Sequence, residues 1–284
     1  MNDLALKHPK EVYNALFTAS WQTIQVFSSD AKYLNAKTGM ISILHTWGQT
    51  LSLHPHLHCI VPNGGLDKKG KWVFPKKQTK TSDRTKKYLF PKRALSSVFR
   101  AKFMACLRKG IEVPQSTAKI LFTKNWVVYA KQPFFGPKQV IEYLGRYTHK
   151  IAISNHRLES ISDNKVSFRY KDYRAGGSTK IMELQATEFI RRFSLHVIPE
   201  KFTRIRHYGI FASKNKTVEL NLAKAYFGLE AWKKEKISWS EIAEQKWKIV
   251  HNQCPKCKGM QFEIKELIQG LRGPPVIILA RNEF

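Results

Sequence analysis

Residues 45–65 read HTWGQTLSLHPHLHCIVPNGG, and this stretch decides the fold. It closes on PNGG, a turn signal, so the residues before it read as a strand over 56–61. Within that strand His56, Leu57 and His58 alternate polar, apolar, polar. Side chains at i and i+2 of a strand share a face. The two imidazoles therefore converge on one point, while Leu57 and Cys59 face the opposite side, toward a core. His54 shares the histidine face if Pro55 permits a regular strand. Residues 40–47 (MISILHTW) read as the preceding strand. Taken alone, a His-x-His triplet also fits ordinary surface or core histidines, and the rest of the chain has to decide.

The chain has 284 residues, enough for one large domain or two smaller ones, and 43% of them are hydrophobic, which is enough for a core. Forty-nine Lys and Arg stand against 21 Asp and Glu, a formal net charge of +28. A field of that sign attracts polyanions and speeds their association. No apolar run is long enough to span a bilayer and no signal peptide is evident, so nucleic acid is the expected partner rather than a membrane, and the cytoplasm the expected compartment. Two histidines on one strand face, in so basic a chain, suggest a metal acting on a phosphate. Of the four cysteines, Cys59 and Cys106 sit in apolar settings and read as small core residues. Cys254 and Cys257 form CPKC, half of a zinc ribbon. His251 offers a third ligand, and a structural zinc site needs about four.

Around the opening strands, periodicity predicts a helix over 9–27, with Val12, Leu16, Phe17, Trp21, Ile24 and Phe27 as its stripe. A short strand is expected at 72–74, a basic loop over 75–93 and an amphipathic helix over 91–109. Strands are expected at 125–131, 151–154, 165–170, 179–184 and 206–212. Further helices are expected over 137–149, from a Thr187 cap to 195, and over 218–227. Strands grouped without a regular βαβ rhythm indicate an α+β fold, an antiparallel sheet with helices on one face. After about residue 230 the chain is rich in Lys and Trp and reads as a small appendage.

The segment 137–150 reads PKQVIEYLGRYTHK. On a helix, Val140, Ile141, Leu144 and Thr148 fall on one side; Gln139, Tyr143, Arg146, Tyr147 and Lys150 fall on the other. The aliphatic side is expected to dock on the sheet. The tyrosines lie one turn apart with a glutamine and two cations. A tyrosine hydroxyl becomes a competent nucleophile when its phenolate and the attacked phosphate are stabilised. A metal on two histidines supplies that. The pattern describes metal-assisted transesterification at a phosphodiester.

Three blocks, LHTWGQTLSLHPHLHCIVPNGGL (44–66), GPKQVIEYLGRYTHKIAISNHRL (136–158) and FIRRFSLHVIPEKFTRIRHYGIFAS (189–213), resemble in order the transposases of the insertion sequence 91 family. These are two-tyrosine HUH transposases that move DNA by a rolling-circle route. HUH denotes His, hydrophobic, His, here His56-Leu57-His58, and the paired tyrosines match Tyr143 and Tyr147. The resemblance covers roughly residues 35–215 and so implies a helical lead-in (1–34), a catalytic core (35–215) and a C-terminal helix with a Cys-containing appendage (216–284). It implies a ferredoxin-like or RRM-like antiparallel sheet with the HUH strand central, and the tyrosine helix packed beside it. It also implies Mg or Mn as cofactor and tyrosine attack on single-stranded DNA, giving a 5′-phosphotyrosine link and a free 3′-hydroxyl. Family members carry a Cys-rich zinc-binding domain ahead of the core; Met1 falls about where that domain ends, so the chain is expected to lack it.

His56 and His58 are thus the expected metal ligands. Gln139, one turn before Tyr143, is the first choice for a third, with His149 and His45 as alternatives. Expected DNA contacts are Arg146, Lys150, Lys76, Lys77, Arg204 and Arg206, with Arg191 and Arg192 as further candidates. Trp72, Tyr88, Phe90 and Tyr208 are candidates for stacking on unpaired bases. The alternative readings are a related HUH replication initiator or relaxase, and a shortened remnant that binds DNA without catalysis. A zinc hydrolase would need an acidic residue close to His56, and the sequence offers none nearby.

Overall fold

The computed structural model describes residues 2–76, 89–124, 126–131, 133–134, 136–148, 152–231, 238–248, 250, 253–254, 258–259, 263–268 and 276–280. Its elements run α1 (Asn2–Lys7), α2 (Pro9–Ser29), β1 (Gly39–Trp47), β2 (Leu53–Ile60), β3 (Gly65–Leu66), β4 (Trp72–Val73), α3 (Lys92–Gly110), α4 (Gln115–Thr123) and α5 (Pro137–Thr148). Then follow β5 (Leu158–Ser162), β6 (Lys165–Asp172), β7 (Ser178–Gln185), α6 (Ala186–Ser194), β8 (Ile205–Gly209), α7 (Lys216–Tyr226), α8 (Trp239–Trp247), β9 (Glu263–Ile268) and β10 (Val276–Ala280). The architecture is α+β with antiparallel sheets.

The sheet that carries the histidine triplet has the order β2-β1-β8. Among the described residues β1 is therefore central and the triplet lies on an edge strand, a correction to the expected central position. Leu44 lies opposite Leu57 and His45 opposite His56. Alternation then sorts the two faces. Leu44, Leu57 and Tyr208 turn toward α2 and α3, where Phe17, Phe103, Met104 and Leu107 are buried. His45, His56 and His58 turn the other way, toward α5. Helices thus cover both faces of this sheet rather than one. Phe17 is fully buried at the centre of the α2 layer. Phe17→Ala is expected to cost about 3–5 kcal/mol through lost transfer energy and a residual cavity, read as a lower urea midpoint at unchanged slope.

β8 ends at Gly209 for a steric reason. Its φ of 59° is left-handed, and a Cβ there would lie 2.0 Å from the Thr38 carbonyl oxygen. A second sheet, β5-β6-β7, folds with α6 over Phe168, Ala152 and Ile153. The β1–β2 turn is held against it: the His196 Nε2 donates to the Leu51 carbonyl (3.1 Å) and the Arg192 Nη1 to the Thr50 carbonyl (3.2 Å). A hairpin of β3 and β4 packs on α7 around Leu66, Trp72, Ile210 and Ala223.

Several expectations need correction. Residues 126–131 form no strand. Their course is set instead by Trp126, whose ring packs on Phe99 (5.5 Å) and Phe103 (5.1 Å) and whose Nε1 donates to the Leu121 carbonyl (2.8 Å). Val127 and Tyr129 are left 89% and 78% exposed. Residues 152–154 are not strand either: Ala152 and Ile153 are buried one after the other, which breaks the alternation a strand requires. Thr187 does not cap α6. That helix starts directly from β7, with Gln185 at the cap position and Thr187 in the first turn. α4 occupies a segment to which the sequence pattern assigned no element.

The chain divides into compact units at residues 1–232 and 233–284. α7, placed by the expected boundary at 216 in the C-terminal segment, packs on β3 and β4 in the first unit. In the second unit, α8 opens with a capping box between Ser238 and Glu241, and β9 pairs antiparallel with β10. The Cys254 amide donates to the Gly259 carbonyl (2.9 Å); Cys257 and His251 lie outside the described residues.

Candidate metal centre and tyrosine pair

The histidine face of the sheet gathers His45, His56 and His58, one potential ligand nitrogen from each within 4.8 Å of the others. Strand geometry explains the cluster. His56 and His58 share a face of β2 at i and i+2, and His45 is the direct cross-strand partner of His56. The rings are 4.5 Å (His45–His58), 5.0 Å (His56–His58) and 5.6 Å (His45–His56) apart between centroids. His45 is buried and stacked on Trp47 at 4.5 Å.

Hydrogen bonds fix the tautomers of two of these rings. A carbonyl can only accept, so His45 donates from Nε2 to the Tyr147 carbonyl (2.9 Å) and His56 donates from Nδ1 to the His54 carbonyl (2.7 Å). Each ring then carries its lone pair on the other nitrogen, the arrangement found where histidines ligate metals and are oriented by a second partner. The His58 Nδ1 meets the Tyr143 hydroxyl at 3.1 Å. Burial, then the neighbouring His45, His56 and Lys131, lowers the His58 pKa to about 3, and burial lowers that of His56. Neutral imidazoles at neutral pH are what a cation requires. In the metal-free protein this carries a pH signature. An unfolded imidazole protonates near about pH 6.5, whereas folded His58 holds off to about 3. Between these values the unfolded chain binds more protons, so this contribution is intact above the upper value and is lost progressively as the pH falls through the window. Urea midpoints should drop from about pH 7 to about pH 5, and His58→Asn should make the drop smaller.

α5 lays its tyrosines over this cluster. The Tyr147 ring stacks on His58 at 3.9 Å and 27°, and the Tyr143 and Tyr147 rings are 4.4 Å apart. The expected docking face is thereby reversed: the tyrosine side meets the sheet, and Ile141 is 68% exposed. The reason is the sheet itself, which offers α5 imidazoles rather than aliphatic side chains. The end of the helix is pinned by two side chains: His45 donates to the Tyr147 carbonyl, as above, and Arg204 donates to that of Thr148. Burial, then Tyr147 and Cys59, pushes the Tyr143 hydroxyl up to about 12. Lys131 holds its ammonium 5.8 Å from the centroid of the Tyr143 ring.

The other anticipated residues divide. Gln139 lies in the first turn of α5 with an exposed side chain, one turn before Tyr143. His54 is exposed and contributes its carbonyl to His56. Arg206 lies over the Phe17 ring at 4.2 Å and donates to the Asn14 Oδ1 (2.6 Å), and Arg191 and Arg192 bind Glu188. These cations are engaged within the protein. Lys76 is exposed. Lys77, Tyr88, His149 and Lys150 lie outside the described residues, as does the side chain of Arg146. Trp72 and Phe90 are buried and Tyr208 stacks on Trp21 at 5.3 Å, so these three do not offer faces to bases.

The fold and this centre define a class: a strongly basic α+β protein that sets a tyrosine pair on a three-histidine cluster able to hold a metal. Residues 39–218 match the model of the family described as "Putative transposase". The chain is 37% identical to "Putative transposase y4qJ" of Sinorhizobium fredii, over 96% of its own length and 72% of that protein's. It is 27% identical to "Transposase for insertion sequence element IS801" of Pseudomonas savastanoi pv. phaseolicola, over 70% of its own length and 49% of the other's. No solved structure matches significantly. The chain belongs to this transposase family. Among the described residues no helix is long and apolar enough to cross a membrane.

Proposed function

We propose that the chain is a two-tyrosine transposase of the insertion sequence 91 type, which cuts and rejoins single-stranded DNA with a tyrosine nucleophile. The observation that carries this reading is the contact between the Tyr143 hydroxyl and His58, a member of the histidine cluster. The cluster suits a divalent cation, because its donors are imidazoles already oriented through their second nitrogens, and burial lowers the pKa of His56 and His58. His45 takes the third position for which Gln139 was the first choice. A cation bound there supplies Lewis-acid polarisation and orientation of the scissile phosphate. With three nitrogen donors and no carboxylate in the group, Mn is expected to bind more tightly than Mg, which prefers oxygen.

Tyr143 is the first nucleophile in this reading. Its oxygen attacks phosphorus; the new O–P bond forms as the bond to the 3′-oxygen breaks. The phenolic proton leaves to solvent and the departing 3′-oxygen takes one up, so the step is neutral overall. His58 can donate from Nδ1 to the Tyr143 oxygen and so favour the phenolate. One phosphodiester is exchanged for another, so a 3′-hydroxyl can reverse the step and rejoin the strand. Tyr147, one turn on, receives a second strand while the first remains attached.

The test is a labelled single-stranded oligonucleotide carrying the transposon end, incubated with the protein and Mn and run on a denaturing gel. A covalent adduct that needs the metal is expected. An adduct that persists after Tyr143→Phe and Tyr147→Phe are combined would sink the assignment.

A further inference from the structure

Of the stacking residues expected from sequence, Trp72, Phe90 and Tyr208 are buried or engaged, yet the chain exposes a group of aromatic rings elsewhere. Phe74, just after β4, is 51% exposed; Tyr226 and Phe227, at the end of α7, are 44% and 50% exposed. The three rings stand edge to face: Phe74 lies 6.3 Å from Tyr226 and 6.5 Å from Phe227, and Tyr226 lies 5.1 Å from Phe227. The Trp72 ring supports Phe227 from beneath at 5.6 Å. Burial of Trp72 holds the group in place while the outer rings remain in water.

The β3–β4 hairpin brings charge to the same place. Its turn lies beside α7, close enough that a Cβ at Gly70 would meet the Leu222 Cδ1 at 3.3 Å, and Leu222 is one helical turn before Tyr226. Lys69 and Lys71 in that turn and Lys76 after Phe74 are exposed, and among the described residues none of them forms an ion pair. The acid of the turn, Asp67, spends its carboxylate oxygen on the backbone amides of Lys69 (2.9 Å) and Lys71 (2.8 Å). Asp67 keeps its charge, but exposed Lys68, Lys69, Lys71 and Lys76 outnumber it, so the hairpin is net positive.

We infer that Phe74, Tyr226 and Phe227, with the lysines of the β3–β4 hairpin, form a single-stranded DNA binding surface separate from the histidine–tyrosine centre. Exposed aromatic rings accept unpaired bases of any identity, and a net-positive rim follows a phosphate backbone. An aliphatic protein partner would not call for such a rim. The partner rests on the transposase reading; the function is to hold the strand outside the cleavage site.

The experiment measures fluorescence anisotropy of a labelled single-stranded oligonucleotide on the full chain without divalent metal, so no strand cleavage is involved. Phe74→Ala with Phe227→Ala should weaken binding about tenfold or more, as expected for lost stacking on one or two bases. An abasic oligonucleotide of the same charge should bind the wild type more weakly and should not tell wild type from variant. Tyr226→Trp should show indole quenching on adding the intact strand but not the abasic one. Equal binding by wild type and the double variant overturns the inference. So does an equal loss on duplex DNA, which would point to a duplex or purely structural role. If the wild type makes no covalent adduct, the cleavage reading fails, yet these binding differences still decide the surface.

Discussion

Tyr143→Phe is expected to remove the covalent DNA adduct, by a factor of about a thousand or more, while Tyr147→Phe still forms it in a single turnover. The asymmetry follows from where each tyrosine points. Tyr143 reaches His58 with its hydroxyl, whereas Tyr147 lies flat on the same imidazole with its ring and offers its carbonyl to His45. Removing the Tyr147 hydroxyl leaves both of those contacts in place. It should instead block the second strand transfer, so the first end accumulates in the attached state. The gel separates the two cases, and equal loss in both single variants would show that the tyrosines are interchangeable. The hydroxyl of Tyr143 is pushed up to about 12. The phenolate is therefore scarce at neutral pH, and wild-type adduct formation should climb about tenfold per pH unit below the effective pKa.

The second large effect is expected at the histidines. His58→Ala removes a proposed metal ligand, the surface under the Tyr147 ring and the partner of the Tyr143 hydroxyl together. Mn affinity should fall by more than the ~10–100-fold typical of losing an outer-shell partner, and adduct formation should be undetectable. His54→Ala is the control. It changes an exposed ring outside the cluster and keeps the backbone carbonyl that orients His56. Calorimetric titration with Mn distinguishes them: unchanged affinity in His58→Ala would remove this imidazole from the ligand set.

β1 is legible from a nearly continuous apolar run, and β2, β6 and helices α2, α3 and α7 from a period of 2 or 3.6. The convergence of His56 and His58 was legible for the same reason. His45 was weighed only as an alternative ligand, since its role depends on which residue of β1 lies opposite His56, and register is a property of two strands rather than one. Helical periodicity separates the two faces of α5, but which face docks depends on the surface it meets. The sheet surface there is made of imidazoles, and rings stack on rings. Residues 126–131 have strand composition, but one tryptophan anchored to α3 outweighs it. The arginines expected on DNA illustrate a general ambiguity: a basic chain also uses guanidinium groups to tie off helix ends and loops, and charge alone does not tell the two uses apart.

The placement of His45 opposite His56 has one more implication. Sliding β1 past β2 by a single residue would send one member of the set to the far face of the sheet. The cluster thus exists only when the hairpin is correctly zipped, and an unfolded or misaligned chain has no comparable site. Any cation it takes up would favour the aligned state by mass action, by about 2.7 kcal/mol at a hundredfold excess over the dissociation constant. The centre would then double as quality control: an ion held there would also proofread the strand alignment that builds its own binding site.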